Sequence, residues 1–200
     1  MLEYKWENEY RSRGYHVICG VDEAGRGCLC GPVCAAAVVL PSDWNHPLLN
    51  DSKKLSPKRR DQLFDEIIEH AVAYSIGWGS VEEIDRLNIL NAAMLAMRRA
   101  IEGLPIQPDF ALVDGNVVRD FPVPATAIVG GDGVSPSIAA ASILAKVSRD
   151  RLCAQLDAQY PEYKIGVHKG YGTKVHREAL LTHGPSPCHR KTFLKKILGE

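Results

Sequence analysis

The chain predicts a mixed α/β fold: a five-stranded sheet flanked by helices, with a helical extension at the C-terminal end. Two observations lead to this class. Five apolar runs of strand length, Tyr15–Val21, Val33–Leu40, Ala71–Trp78, Phe110–Val113 and Pro124–Val129, are set off by glycine, proline and polar residues. The longer segments between and after them place apolar residues three and four apart and end in capping or breaking residues, the pattern of helices that cover a sheet.

The elements follow in order. Met1–Arg13 is polar and charged, and no element is assigned to it. Tyr15–Val21 and Val33–Leu40 are joined through the Gly25–Gly31 loop, a short connection that suits an antiparallel pair. Asp51-Ser52-Lys53-Lys54-Leu55 is a polar loop. Ser56 then caps a helix with Pro57 at its first position and Leu63, Phe64, Ile67 and Ile68 on its apolar face. Ser80 and Glu83 form a capping box after the third strand, and Asn88 to Glu102 continues helically until Gly103 and Pro105 stop it. A helical crossover of this kind returns Phe110–Val113 parallel to, and beside, the first strand. An alanine-rich helix from near Ser137 to Gln159 can approach the sheet closely. Beyond the Gly166–Gly172 loop, Thr173 caps a helix to His183, and Arg190–Leu198 forms a last amphipathic one.

With 200 residues and 46% hydrophobic content, residues 1–200 are expected to fold as one domain, with 161–200 as a C-terminal loop and helix part. No apolar stretch approaches the roughly 18 residues of a membrane span, so a soluble cytoplasmic protein is expected. Four of the six cysteines, Cys19, Cys28, Cys30 and Cys34, crowd into one region without a staple-like spacing, which favours reduced thiols. Cys28-x-Cys30-x3-Cys34 also lacks the paired spacing of a zinc site and has no histidine close by in sequence, so these cysteines read as core or loop residues. The net charge is zero, but its distribution is uneven: 13 basic against 19 acidic side chains up to Ala145, then 11 against 5. A basic C-terminal part beside clustered acids suits a phosphate-backbone substrate, though solvated helix surfaces give the same count.

The acids are the most informative feature. Asp22 and Glu23 sit side by side at the end of an apolar run, and Asp114 and Asp132 each close another run next to glycine. Paired carboxylates near a core need a compensating cation, and four of them at strand ends make an oxygen-only cage for Mg²⁺ or Mn²⁺. Two ions roughly 3.5–4 Å apart would activate water and stabilise the leaving oxygen of a phosphodiester. Asp22 is the choice for the bridging ligand. Neighbouring side chains of a regular strand point to opposite faces. Asp22 and Glu23 therefore converge only if the strand is bulged or ending, or else Glu23 offers its backbone oxygen. Asp beside Gly is also common in plain turns, and the residues alone leave both readings open.

The segment Gly20-Val21-Asp22-Glu23-Ala24-Gly25-Arg26-Gly27 closely resembles the opening motif of type 2 ribonucleases H, ribonuclease HII in particular. The resemblance runs on through Asp51–Ser56, Val113–Asn116, Gly131-Asp132, Ser137–Asp150, Gly170–Thr173 with His176, and His189-Arg190. It implies a ribonuclease H-like sheet and a metal-dependent endonuclease. The expected substrates are RNA–DNA hybrids and duplex DNA with embedded ribonucleotides, nicked on the 5′ side to leave a 3′-hydroxyl. It makes Asp22, Glu23, Asp114 and Asp132 the catalytic, metal-holding acids, with Mn²⁺ or Mg²⁺ as cofactor. It makes Gly25, Arg26, Gly27 and Tyr171 the junction-reading residues.

A 2′-hydroxyl is all that marks a ribonucleotide within DNA, and backbone brought close by Gly25 and Gly27 can test for it. Arg26 either holds a phosphate or pairs with an acid. Lys53, Lys54, Ser142 and Lys146 are candidate phosphate contacts, the last two one helical turn apart. For Arg190, Lys191, Lys195 and Lys196, backbone contact and plain solubility are equal readings. His168, His176 and His189 either bond phosphate or cap loops. Cys28 and Cys30 replace the proline and small residue usual in the family, and an exposed Cys28 near metal would be sensitive to oxidation. The sister type, ribonuclease HIII, carries an extra N-terminal domain for which the residues before Tyr15 leave no room. A noncatalytic hybrid binder would lack at least one acid, and none is missing. No membrane or protein partner is implied, and a monomer is expected.

Overall fold

The computed structural model describes residues 1–49 and 55–199. Lys53 and Lys54 lie outside the described residues. A short helix α1 (Lys5–Ser12) leads into β1 (Ile18–Ala24) and β2 (Val33–Val39), followed by α2 (Pro57–His70) and β3 (Ala73–Gly79). Helices α3 (Val81–Leu87) and α4 (Ile89–Glu102) cross over to β4 (Phe110–Asp114) and β5 (Ala125–Ile128). The chain then closes with α5 (Pro136–Gln159), α6 (Ile165–His168), α7 (Lys174–His183) and α8 (Lys191–Leu198).

The five strands form one sheet in the order β3-β2-β1-β4-β5. As the short loop requires, β1 and β2 are antiparallel, and β2 pairs with β3 in the same sense. As the crossover requires, β4 lies parallel to β1, and β5 parallel to β4. Each face carries an apolar layer. Cys19, Val21, Ala35 and Ala37 pack under α4, and Cys34, Ala36 and Val38 pack with α2 and α5. Alanines permit this closeness: α4 buries Ala92, Ala93, Ala96 and Ala100, and α5 buries Ala139, Ala140, Ala141 and Ala145. At Gly20 a side chain would run into the backbone of Ser137 and Ile138, so the first turn of α5 rests directly on β1.

Several boundaries differ from the sequence expectation, and two differences matter for function. The polar start of the chain forms α1, because Tyr10 stacks on Phe110 with ring centroids 4.0 Å apart and Glu7 is wholly buried. Glu7 accepts bonds from the Ser135 hydroxyl at 2.7 Å and the Ser137 amide at 3.1 Å, which satisfies the start of α5. That helix begins at Pro136 with Ser135 as its cap, a residue or so earlier than the alanine run suggests. The first strand starts later and runs further than Tyr15–Val21, pairing regularly with β2 through Asp22, Glu23 and Ala24. The strand is therefore neither bulged nor ended at the acidic pair. Part of the Gly166–Gly172 loop is helical, as α6. Among the described residues no helix is long and apolar enough to cross a membrane.

Candidate active site

The sheet register builds the site. Val21 of β1 pairs with Val113 of β4, so the next residue on each parallel strand, Asp22 and Asp114, stand side by side at the strand ends. Asp22 is only 6% exposed; its Oδ1 accepts from the Glu23 amide at 2.6 Å and its carboxylate is bonded by Ser142 of α5. Asp114 Oδ1 accepts from the Gly131 amide at 2.7 Å. Glu23, on the opposite face of the regular strand, is held by Arg26 at 3.1 Å. A cleft of about 290 Å³ is nevertheless lined by Asp22, Glu23 and Asp114 together, with segment 24–27, Ser142, Lys146 and Tyr171.

Asp132 is placed differently. It stands in the single-turn helix Gly131–Gly133 after β5, next to Gly131, whose amide donates to Asp114, and it is not among the residues lining the cleft. The structure thus brings three of the four acids into one cavity and puts the fourth on the adjoining turn.

Burial pushes the Asp22 carboxyl well above the usual carboxylate range, and the charges of Glu23 and Asp114 push it further, against the bonds from Ser142 and the Glu23 amide. Burial also raises Glu23, with Arg26 opposing and Asp114 adding. These acids therefore repel one another in a poorly solvated place, the condition that a bound cation relieves. Their oxygens are hard donors of the kind Mg²⁺ and Mn²⁺ take. No three of the four acids bring their oxygens within 4.8 Å of one another, so the group is spread rather than gathered around one point.

The loop after β1 is fixed from below by two arginines that sequence reading assigned to the surface or passed over. Arg190 has no exposed surface; it donates to the carbonyls of Gly31 at 2.9 Å, Arg26 at 2.9 Å and Gly25 at 2.8 Å. Burial and the nearby Arg149 pull its pKa down to about 10, which leaves it charged at neutral pH. Arg149 of α5, 1% exposed, donates to the carbonyls of Lys169 at 2.8 Å and Cys30 at 3.1 Å. At Gly25, φ is +97° and a side chain would fall inside that of Arg149, so only glycine fits. The plain-solubility and backbone-contact readings of Arg190 are both corrected. Its basic composition signalled a surface helix, whereas three carbonyls distant in sequence draw it inside.

Other candidates sort by position. Tyr171 is 46% exposed at the cleft and forms a bridge with Cys28, while Lys146 reaches the cleft paired to Asp150. Ser142 is buried against Asp22, which commits it to the acid. His168, His176 and His189 are buried, so they cap loops and do not present themselves to phosphate. His176 bonds the Tyr171 carbonyl through Nδ1 at 3.0 Å, and burial draws its pKa down to about 4, so it is neutral. Cys28 is fully buried beneath the loop, which removes the expectation of an exposed, oxidation-sensitive thiol. All six cysteines are free.

Comparison with known proteins agrees with this fold. The family model of ribonuclease HII matches residues 19–196. Ribonuclease HII 1 of Methylibium petroleiphilum is 61% identical over 176 residues, 87% of this chain and 88% of that protein. Ribonuclease HII of Caldicellulosiruptor saccharolyticus is 50% identical over 195 residues, 98% of this chain and 95% of that protein. The crystal structure of ribonuclease H2 from Pyrococcus horikoshii superposes with a TM-score of 0.75 at 27% identity, covering 92% of this chain and 98% of that one.

Proposed function

The chain belongs to the ribonuclease HII family, and from that premise we propose that it is a metal-dependent endonuclease of defined specificity. It degrades the RNA strand of RNA–DNA hybrids and nicks duplex DNA on the 5′ side of a single embedded ribonucleotide, leaving a 3′-hydroxyl and a 5′-phosphate. The observation that carries this reading is one cavity lined both by three mutually repelling carboxylates and by a loop whose backbone is locked in place.

In this reading Asp22, Glu23, Asp114 and Asp132 hold two Mg²⁺ or Mn²⁺ ions, which when bound supply an activated water and a counter-charge for the leaving oxygen. Ser142 orients Asp22, and Arg26 steadies Glu23. The substrate's 2′-hydroxyl is tested by the Gly25-Arg26-Gly27 backbone. Arg190 already takes the carbonyls of Gly25 and Arg26, so that recognition falls chiefly to the amides. A pocket built to bond a hydroxyl rejects a substrate lacking it by about 10⁴–10⁵. Tyr171 stacks on the adjoining sugar, Lys146 contacts phosphate, and segment 161–200 serves as the substrate-binding part.

Cleavage of an RNA–DNA hybrid in Mn²⁺ or Mg²⁺ by the parent and by Asp114→Asn tests the assignment. The variant is expected to bind the hybrid and not to cut it; full activity in the variant overturns the role given to Asp114.

A further inference from the structure

The catalytic reading leaves unused a group of cysteines and histidines at the root of the loop. Nε2 of His176 and Nε2 of His189 are 3.0 Å apart, and Sγ of Cys30 joins them so that all three atoms lie within 4.8 Å of one another. Cys30 in turn hydrogen-bonds the sulfur of Cys188, which lies 3.8 Å from Nδ1 of His189. All four side chains are buried. They come from three stretches distant in sequence: the loop after β1, helix α7, and the turn before α8. We propose that Cys30, Cys188, His176 and His189 form a Cys₂His₂ site for one Zn²⁺ ion, separate from the carboxylate cleft.

The donor set is the first argument. Two sulfurs and two imidazoles select zinc over Mg²⁺ and Mn²⁺, which prefer oxygen. With Zn–N near 2.0–2.1 Å and Zn–S near 2.3 Å, tetrahedral ligand atoms stand about 3.3–3.8 Å apart, so the histidine pair needs to open by only a few tenths of an ångström.

The surrounding hydrogen bonds are the second. Nδ1 of His176 donates to the Tyr171 carbonyl at 3.0 Å, which fixes the ring and turns the Nε2 lone pair towards the site. Nδ1 of His189 accepts from the Ser186 amide at 3.1 Å, so its Nε2 carries the proton now shared with His176. On metal binding that proton moves to Nδ1, which then donates to the Ser186 hydroxyl oxygen at 2.8 Å; the Ser186 amide, which donates to Nδ1 in the metal-free protein, has to turn away from the ring, and the thiol protons leave to solvent. Cys188 lies outside the group of three formed by Cys30, His176 and His189, beside Nδ1 of His189 rather than Nε2, so it takes the fourth position only by a change of side-chain rotamer from its contact with Cys30.

Such an ion would cross-link the substrate-facing loop to the C-terminal helices. Cys30 pairs with His189 across an antiparallel bridge, and Arg190, the next residue, carries the loop carbonyls. His176 holds the carbonyl of Tyr171. The site therefore governs how rigidly the loop and Tyr171 are presented, without touching substrate.

Titration of the reduced, chelator-stripped protein with Co²⁺ reads the site directly. The expected result is a thiolate-to-cobalt charge-transfer band with tetrahedral d–d bands, saturating at one ion per chain, displaced by Zn²⁺ and resistant to excess Mg²⁺. The double variant Asp22→Asn, Asp114→Asn keeps the spectrum. Cys30→Ser and Cys188→Ser each lose much of the charge-transfer intensity, and Zn²⁺ raises Tm by several degrees in the parent but not in them. The parent spectrum decides the matter even where a cysteine variant does not fold. Folded, reduced parent protein without a thiolate band overturns the proposal, as does a band that survives both cysteine substitutions.

Discussion

The guanidinium of Arg190 donates to the carbonyl of Gly25 at 2.8 Å from a wholly buried position. A residue near the C-terminal end of the chain thus sets the conformation of one two positions beyond the acidic pair. Arg190→Lys keeps the charge and loses the planar fork that reaches three carbonyls at once. Displacing a loop by about 1 Å can cost about 10²-fold in rate. Nicking of a duplex with one ribonucleotide is expected to fall by about that factor in Arg190→Lys, measured at saturating metal, with circular dichroism confirming the fold. An unchanged rate would show that the loop holds its shape without Arg190.

Gly25→Ala tests the same loop from its other side. The substitution forces a side chain into a positive-φ position and into Arg149, so both strain and overpacking act. Together they are expected to destabilise the protein by about 2–5 kcal/mol, read as a shift of the urea unfolding midpoint. A midpoint within error of the parent would mean that Arg149 moves aside freely.

Asp22 gives a pH-dependent prediction. Its folded carboxyl titrates above the usual range because of burial, Glu23 and Asp114, whereas the unfolded carboxyl ionises near its ordinary value. Between those two values the folded chain keeps a proton that the unfolded chain has lost, so this group's contribution to stability falls as pH rises. In metal-free protein, Asp22→Asn should therefore gain stability over the parent as pH rises through this window, and hold the gain above it. Added Mn²⁺ should raise the Tm of the parent at pH 8 more than that of the variant. Thermal melts of both proteins with and without Mn²⁺ check this. A variant that is less stable than the parent at high pH without metal would contradict the electrostatic account.

Much of the fold was legible because apolar runs and caps are local. The antiparallel start of the sheet and the parallel return of the fourth strand beside the first followed from one short loop and one helical crossover, and Thr173, Ser56 and Ser80 marked helix starts that the structure repeats. Helix α1 was not legible, since its residues are polar and its stability comes from Phe110 and from the start of α5, far away in sequence. The acids were legible as a set, but their spacing was not: Asp132 stands on the turn beside the cleft rather than in its lining. Arg190 and Arg149 were hidden for a related reason. A buried arginine looks like a surface one until its carbonyl partners are known, and those of Arg190, with the Cys30 partner of Arg149, lie more than a hundred residues away. The same distance concealed Cys30, whose histidine neighbours are remote in sequence and adjacent in space.

The most direct test of the central claim, that an acidic cleft cuts where the adjoining loop senses a 2′-hydroxyl, is a paired assay. The protein with Mn²⁺ or Mg²⁺ is given two duplexes of identical sequence, one all DNA and one with a single ribonucleotide. The account predicts one nick on the 5′ side of the ribonucleotide, a 3′-hydroxyl at the cut, and an intact all-DNA duplex. Equal cleavage of the two duplexes would contradict it.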